Sequence, residues 1–211
     1  MAETHRLDMI GITKRFPGVL ALDSVNFDLC TGEIHALVGE NGAGKSTLMK
    51  ILSGALTPDS GRICIDGASV RITSPRVAVR LGIGMIYQEL YLVSHLSVGE
   101  NILLGREPLR AGMVDFHRLH QEAQKHLDQL ECGLSSRQQV ADLGIAQRQM
   151  VEIAKALSRQ ARFLVMDEPT ASLSEAETEK LFSIIGSLRK GGVGVAYISH
   201  RLEEVMEIGD R

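Results

Sequence analysis

A glycine-rich loop between an apolar run and a helical run constrains this chain more than any other feature. The loop fits the pattern G-x-x-x-x-G-K-[ST] and reads Gly39-Glu40-Asn41-Gly42-Ala43-Gly44-Lys45-Ser46-Thr47. The apolar run 34–38 precedes it, and the helical run 45–53 follows it. Glycines let the backbone wrap around an anion with its N–H groups pointing at the oxygens, and the helix N-terminus adds the positive end of its dipole. The sequence therefore predicts a phosphate-binding loop, called the phosphate loop below.

The last three residues of the phosphate loop carry the side chains that this chemistry needs. We expect Lys45 to hold the β- and γ-phosphates of a nucleotide. Ser46 should ligate Mg²⁺, with the Thr47 hydroxyl donating nearby. The loop therefore predicts a bound nucleoside triphosphate together with Mg²⁺.

A second candidate group lies at the end of another apolar run, 163–166, which continues into Asp167 and Glu168. Parallel sheets bring such strand ends beside the phosphate loop, so Asp167 could hold the Mg²⁺ shell. Glu168 could orient or deprotonate an attacking water. Taken alone, the same run also fits a strand that leaves the core and enters solvent.

Two further polar residues follow predicted strands. Gln88 ends the run 83–87, and His200 follows the run 193–199. Gln88 could contact Mg²⁺ or the attacking water, and His200 could donate to a γ-phosphate. On these residues alone, a turn glutamine and a loop histidine that caps the next helix are the simpler interpretations.

The order of predicted elements gives the fold class. Strands are predicted at 7–13, 24–29, 34–38, 63–65, 83–87, 163–166 and 193–199. Helices are predicted at 45–53, 98–104, 116–130, 147–157 and from Ser174 to Lys190, the last one with a capping box between Ser174 and Glu177. Strands and helices alternate at both ends, with a helical insert between them. This pattern predicts an α/β fold with a mostly parallel sheet wrapped by helices and a helical lobe.

Composition narrows the possible partners. The chain has 211 residues with 23 Lys and Arg against 26 Asp and Glu, which gives a formal net charge of −3. A slightly acidic chain with 4% aromatic residues is a poor bulk binder of nucleic acid, so no nucleic-acid partner is expected. No apolar run approaches the roughly 20 residues that span a bilayer. We therefore expect a cytoplasmic protein; if it acts at a membrane, another protein brings it there.

In sequence order, these motifs resemble the nucleotide-binding subunit of ABC transporters. Phe16 corresponds to the aromatic residue that stacks on adenine, residues 39–47 to the Walker A loop, and Gln88 to the Q-loop. The signature corresponds to Leu143-Gly144-Ile145-Ala146-Gln147.

The second half of the motif series continues in the same order. Asp167 and Glu168 correspond to Walker B with its catalytic glutamate, residues 171–174 to the D-loop, and His200 to the switch histidine. The ordered set covers essentially the whole chain and is far more specific than any one motif.

The resemblance implies a role for each residue. ATP would be bound by Phe16 and the phosphate loop, and Mg²⁺ by Ser46, Gln88 and Asp167. Glu168, His200 and Gln88 would be catalytic, and residues 143–147 would serve the ATP of an opposite site.

The resemblance also implies an architecture. It is a P-loop NTPase with a RecA-like, mostly parallel core at 1–88 and 159–211, an N-terminal antiparallel β-subdomain and a helical subdomain inserted at 89–158. The 211 residues would form a single nucleotide-binding domain that lacks its C-terminal end.

Finer features are similar to the ATP-binding subunits of bacterial importers for ribose, galactose, arabinose or xylose. They lie at 85–90, 150–157 and 197–201. In that branch one polypeptide carries two nucleotide-binding halves, and this chain resembles the N-terminal half. The implied partners are the second half, transmembrane permease subunits and, indirectly, a sugar-binding protein, at the cytoplasmic face of the membrane.

Three alternatives remain open. One is an importer ATPase for another small solute, such as a nucleoside or a signalling furanone. Another is a non-transport ABC ATPase, although repair members separate the Q-loop and the signature by a long coiled coil, and here an ordinary helical lobe fills the interval between Gln88 and Leu143. The third is a nucleotide-gated binding module with little turnover, against which the full set of Lys45, Asp167, Glu168 and His200 argues.

The chain departs from the family pattern at three positions. Gly144 stands where the signature serine is usual, Ala146 replaces a glycine, and Ser174 stands where the D-loop aspartate is usual. All three concern the ATP of the opposite site. The chain's own phosphate-binding residues are unaffected.

Overall fold

The computed structural model describes residues 5–40 and 42–211, in which strands and helices alternate as the sequence predicts. The strands are β1 (Arg6–Phe16), β2 (Val19–Cys30), β3 (Ile34–Leu37), β4 (Ser60–Ile65), β5 (Ala68–Val70), β6 (Ile83–Ile86), β7 (Leu109–Arg110), β8 (Met113–Val114), β9 (Phe163–Asp167) and β10 (Gly194–Ile198). The helices are α1 (Lys45–Leu52), α2 (Pro75–Arg80), α3 (Val98–Ile102), α4 (Phe116–Gln129), α5 (Ile145–Ser158), α6 (Glu175–Lys190) and α7 (Leu202–Ile208).

A four-stranded parallel sheet in the order β3-β10-β9-β6 forms the centre of the fold. The two middle strands are almost entirely buried because helices or the second sheet cover both faces. All four strands run in the same direction, so the loops that follow them emerge at one edge. The phosphate loop, Gln88, Glu168 and His200 each follow one of these strands by one or two residues.

A second sheet, antiparallel and in the order β2-β1-β4-β5, packs beside the first. The hairpin of β1 and β2 turns at Pro17 and Gly18, and both strands are longer than the predicted runs 7–13 and 24–29. Several register shifts interrupt the β1–β2 pairing. They blur the alternation of buried and exposed residues, which is the signal that marks strand ends in a sequence.

The middle of the chain is helical, with α3, α4 and α5 packed on one another and α5 also packed on β6. Ser97 and Glu100 form a capping box at α3, and the Asp115 side chain accepts the N–H of Arg118 at the start of α4. The apolar side chains of this region are continuous with those of one face of the parallel sheet. The helical region therefore has no separate core of its own.

Two parts of the fold differ from the sequence predictions, and one predicted feature is confirmed. Helix α5 begins at Ile145 rather than at Gln147, because the Gln147 side chain reaches back to accept the Gly144 N–H at 3.1 Å and so belongs to the first turn. Helix α2 and the strands β5, β7 and β8 were not predicted, since segments of two to six residues carry little periodicity. The capping box of Ser174 and Glu177 is confirmed, with the Ser174 N–H donating to the Glu177 carboxylate at 2.9 Å.

No helix among the described residues is both long and apolar enough to cross a bilayer.

Candidate functional site

The phosphate loop joins β3 to α1 and is shaped by two glycines with left-handed backbones. Gly42 has a φ of 87° and Gly44 a φ of 92°. A Cβ placed on Gly44 would lie 2.7 Å from the carbonyl oxygen of Ala21 and 2.9 Å from Cδ2 of Leu22. The loop is therefore packed directly against β2, and a side chain at position 44 does not fit. Asn41, predicted to belong to this loop, lies outside the described residues.

The backbone and the lysine of this loop offer several donors to an anion. The first bond within α1 runs from the Leu48 N–H to the Gly44 oxygen, so the N–H groups of residues 45–47 have no acceptor inside the helix. The Lys45 ammonium folds back over the loop and donates to the carbonyl oxygens of Gly39 at 2.5 Å and Glu40 at 3.0 Å. An ammonium on the same loop as these free backbone N–H groups can join them in holding a phosphate group.

Ser46 and Asp167 lie in contact although 121 positions separate them in the sequence. Burial and the neighbouring Glu168 raise the pKa of Asp167, whereas a hydrogen bond with Ser46 and the charge of Lys45 act to lower it. A hydroxyl and a half-buried carboxylate are hard oxygen ligands of the kind that Mg²⁺ prefers. The pair therefore fits a magnesium ion, which would relieve the cost of the buried charge on Asp167.

Glu168 and His200 are also brought together, each just beyond the end of a strand. His200 Nδ1 lies 3.0 Å from Glu168 Oε1. Glu168 has a φ of 48°, a left-handed conformation that a non-glycine residue seldom adopts. Its N–H donates to the Ile198 oxygen of the adjacent strand at 3.0 Å, which helps to hold this conformation. Backbone strain held in this way is typical of functional sites.

Phe16 lies at the end of β1, at the tip of the β1–β2 hairpin, with 40% of its surface exposed. The Lys14 ammonium is 5.8 Å from the centre of its ring. The same hairpin meets the phosphate loop through Ala21 and Gly44. The ring is therefore open to a flat ligand, on the hairpin whose other strand packs against the loop, as stacking on a nucleotide base requires.

Gln88 follows β6 by two residues and is exposed. The last pair of β6 and β9 joins Ile86 to Met166, so Gln88 and Glu168 leave their strands at the same level of the sheet. In the described part of the chain, the Gln88 side chain makes no hydrogen bond to Ser46, Asp167 or Glu168. Its position at this edge is compatible with the predicted contact to Mg²⁺ or water, without a direct bond to the other site residues.

The signature segment 143–147 is separate from this group. Leu143 is buried, whereas Gly144 and Ile145 are exposed at the N-terminus of α5, and Ala146 and Gln147 lie in its first turn. Within residues 5–40 and 42–211, no hydrogen bond joins the segment to the phosphate loop, Glu168 or His200. The segment presents a helix N-terminus outward, where it can serve a ligand held by another unit.

One residue of this region was missed at the sequence level. Glu204, on α7, is buried and accepts hydrogen bonds from Thr170, Tyr197 and Ser199. In the sequence it is one of several acidic residues on a short helix. The only sequence signal for a buried acceptor is the presence of three hydroxyl residues, Thr170, Tyr197 and Ser199, near the ends of two predicted strands.

Comparisons with known proteins bear on the family of this chain. The family described as "ABC transporter" matches residues 22–171. The ribose import ATP-binding protein RbsA 1 of Rubrobacter xylanophilus is 60% identical over 205 residues, which is 97% of this chain and 41% of that protein. A putative ribose/galactose/methyl galactoside import ATP-binding protein of Burkholderia cenocepacia is 56% identical over 209 residues, which is 99% of this chain and 40% of that protein. The chain thus spans about two fifths of the length of these relatives.

Solved structures give the same answer for the fold. The crystal structure of an ATP-binding cassette of an ABC transporter in its ADP conformation has a TM-score of 0.84 and 27% sequence identity, covering 98% of this chain and 85% of that one. A nucleotide-free ATP-binding cassette from an ABC transporter matches with the same TM-score of 0.84. The predicted P-loop fold is confirmed. With the family match over most of its length and the cassette fold throughout, the chain belongs to the ABC transporter family.

Proposed function

We propose that this chain binds MgATP and hydrolyses it, and that it powers the import of a monosaccharide as one nucleotide-binding half of a longer protein. The observation that carries this proposal is the convergence at one sheet edge. The contact of Ser46 with Asp167 and the contact of Glu168 with His200 both lie at the strand ends that adjoin the phosphate loop.

Each residue has a chemical role in this proposal. Lys45 and the loop N–H groups hold the β- and γ-phosphates. Ser46, Asp167 and Gln88 hold Mg²⁺, which neutralises charge on the phosphate oxygens. Glu168 orients the attacking water and accepts its proton, and His200 donates to the γ-phosphate.

The base of the nucleotide is assigned to Phe16. Its exposed ring lies on the hairpin that packs against the phosphate loop. Stacking on one aromatic side chain is worth about 1–3 kcal/mol. It favours a flat base and does not depend on polar contacts around that base.

The outward-facing signature implies that a second half completes the site. We propose that residues 143–147 act on the ATP held by that half, whose own signature acts on the ATP held by Lys45. Gly144 supplies a backbone N–H and no hydroxyl, and a hydrogen bond to a charged group is worth about 1.5–3 kcal/mol. The two sites are therefore expected to be unequal, with hydrolysis mainly at the Lys45–Glu168 site.

The membrane partner is expected to bind at the cleft between the parallel sheet and the helical region. This cleft, of about 190 Å³, is lined by Tyr87, Leu90 and Tyr91 on one side and by α5 residues such as Ala156 on another. It directly adjoins Gln88, so a partner docked there would contact the loop that carries a site residue. Permease subunits at the cytoplasmic face of the membrane are the partners that importer relatives imply.

The proposal of a sugar as solute rests on the names of the relatives. Several are named for ribose import or for ribose/galactose/methyl galactoside import. Selectivity for the solute would lie in the permease and in a sugar-binding protein. A nucleoside or another small solute is the alternative, and transport assays can separate the two.

The decisive experiment uses the full-length protein reconstituted with its permease and binding protein. ATP hydrolysis is measured with a panel of monosaccharides and nucleosides, for the unmodified protein and for Glu168→Gln. We expect stimulation by one monosaccharide and a loss of roughly a hundredfold or more in Glu168→Gln, because an amide cannot accept the proton. Glu175→Gln, an exposed change on α6, is the matched control.

Two results would contradict the proposal. Near-normal turnover in Glu168→Gln would remove the assigned base. Stimulation by a nucleoside and by no sugar would move the protein to the alternative solute class while leaving the ATPase assignment intact.

A further inference from the structure

A buried carboxylate lies directly behind the Glu168–His200 pair. Glu204, in the middle of α7, is 6% exposed. Its Oε2 accepts the hydroxyls of Tyr197 and Ser199, each at 2.9 Å. Its Oε1 accepts Arg201 Nη1 at 2.8 Å, and the Thr170 hydroxyl reaches both oxygens at 2.8 and 2.9 Å.

Three of these donors, Thr170, Ser199 and Arg201, come from the two loops that carry the site residues, and Tyr197 lies in β10. Thr170 lies two residues after Glu168 in the loop between β9 and α6. Ser199 directly precedes His200, in the loop between β10 and α7. The Arg201 N–H also donates to the Ser199 hydroxyl oxygen at 3.0 Å. One carboxylate therefore joins both loops at a distance of one or two residues from Glu168 and His200.

The charge of Glu204 is maintained although the group is buried. Burial by itself raises the pKa of Glu204, but hydrogen bonds from Arg201, Thr170, Tyr197 and Ser199 outweigh it and hold the pKa below its usual value. An ionised carboxylate accepts without donating, so it can satisfy all of these hydroxyls at once. A neutral side chain of the same shape has fewer acceptor sites for them.

The main chain on the Glu168 side also needs such an anchor. The left-handed conformation of Glu168 persists only where the surroundings hold it. The Glu168 N–H donates to the Ile198 carbonyl oxygen. Two residues later in the same loop, the Thr170 hydroxyl donates to the Glu204 carboxylate. Charge-assisted hydrogen bonds are roughly twice as strong as neutral ones, which suits a group that fixes two loops.

We propose that Glu204 is a positioning residue that fixes His200 relative to Glu168 and so supports ATP turnover, without contacting the nucleotide. The inference rests on the proposed ATPase function. It assigns to Glu204 an effect on the rate of hydrolysis that passes through His200. ATP binding, which depends on the phosphate loop, is unaffected.

The test measures ATP hydrolysis by the full-length protein assembled with its partners. The variants are Glu204→Gln, His200→Ala and the double variant, with Glu203→Gln as control because Glu203 is exposed and adjacent in sequence. We expect Glu204→Gln to lower kcat at least tenfold and to change the KM for ATP less than threefold. We expect the double variant to match His200→Ala within about twofold, since without the His200 side chain there is no Glu168–His200 contact left for Glu204 to maintain.

Thr170→Val provides a second route if Glu204→Gln fails to fold. It removes one hydroxyl link from the Glu168 side and keeps both the shape and the charge of Glu204. We expect a smaller loss of kcat, again with little change in KM.

Three outcomes would overturn the inference. They are an unchanged kcat in Glu204→Gln, losses from Glu204→Gln and His200→Ala that multiply in the double variant, and a raised KM with unchanged kcat. Failure of the ATPase assignment is distinguishable, because the unmodified protein would then hydrolyse no ATP above background, whatever the Glu204 variants do.

Discussion

Replacement of Gly44 by alanine tests how the phosphate loop is packed, and Gly42 provides the matched control. Both glycines have a φ near +90°, at 92° and 87°. Their surroundings differ, because a Cβ on Gly44 would meet Ala21 O at 2.7 Å, whereas a Cβ on Gly42 would meet none of the described residues within 4 Å. The pair therefore separates the cost of the backbone conformation from the cost of the steric overlap.

The expected magnitudes follow from these two costs. An alanine in the left-handed region costs roughly 1–2 kcal/mol in either variant. The overlap at position 44 requires a shift of the loop or of β2, for which overpacking typically costs about 1–3 kcal/mol. Gly44→Ala should therefore lower the free energy of unfolding by about 2–5 kcal/mol and Gly42→Ala by about 1–2 kcal/mol.

Urea unfolding of the two variants and the unmodified chain measures this difference. For a chain of this size, each kcal/mol corresponds to roughly 2–4 °C in Tm, so thermal unfolding gives an independent check. The m-value should stay constant, since both variants unfold to the same exposed surface. Equal stabilities for Gly44→Ala and Gly42→Ala would refute the close packing of the loop against β2.

The other predictions concern ligand binding. Lys45→Ala should abolish tight MgATP binding in calorimetry, because no backbone donor replaces its charge, and an unchanged affinity would remove the phosphate-loop assignment. Phe16→Ala should weaken ATP binding by about 1–3 kcal/mol while leaving tripolyphosphate binding unchanged, and equal losses for both ligands would exclude base stacking. Asp167→Asn should stabilise the metal-free chain at neutral pH, because burial and Glu168 raise the pKa of Asp167 above its unfolded value and its ionised form opposes folding. This gain should shrink as the pH falls through the raised pKa of Asp167, and the variant should no longer be stabilised by MgATP. A Tm difference between variant and unmodified chain that does not change with pH would contradict the electrostatic cause.

Much of the fold could be predicted because the parallel strands have strong local signals. The runs that became β9 and β10 are apolar throughout and end in polar residues, which is typical of strands buried on both faces. Once these strands are parallel, topology alone brings the phosphate loop, Glu168 and His200 to one edge. The order of the strands and motifs along the sequence was therefore enough to predict which loops share the site.

The contacts between side chains could not be predicted in the same way. The bond between Glu204 and Thr170 joins residues 34 positions apart, and the packing of Gly44 against Ala21 depends on the path of a loop. Neither leaves a periodic pattern in the sequence. The start of α5 was also placed two residues late, because Gln147 acts as a cap rather than as the first helical residue.

The way the site residues are held suggests a division between fixed and adjustable parts. Glu168 and His200 lie on loops that buried hydrogen bonds to Glu204 join together. Gln88 and Phe16 are exposed at a strand end and a hairpin tip, and in the described ranges the Gln88 side chain makes no hydrogen bond. A group without such anchors moves at low energetic cost, whereas the Glu168–His200 geometry resists displacement. Adjustment to nucleotide and to a membrane partner is therefore expected at Gln88 and Phe16, and the residues assigned to the chemical step keep their arrangement through it.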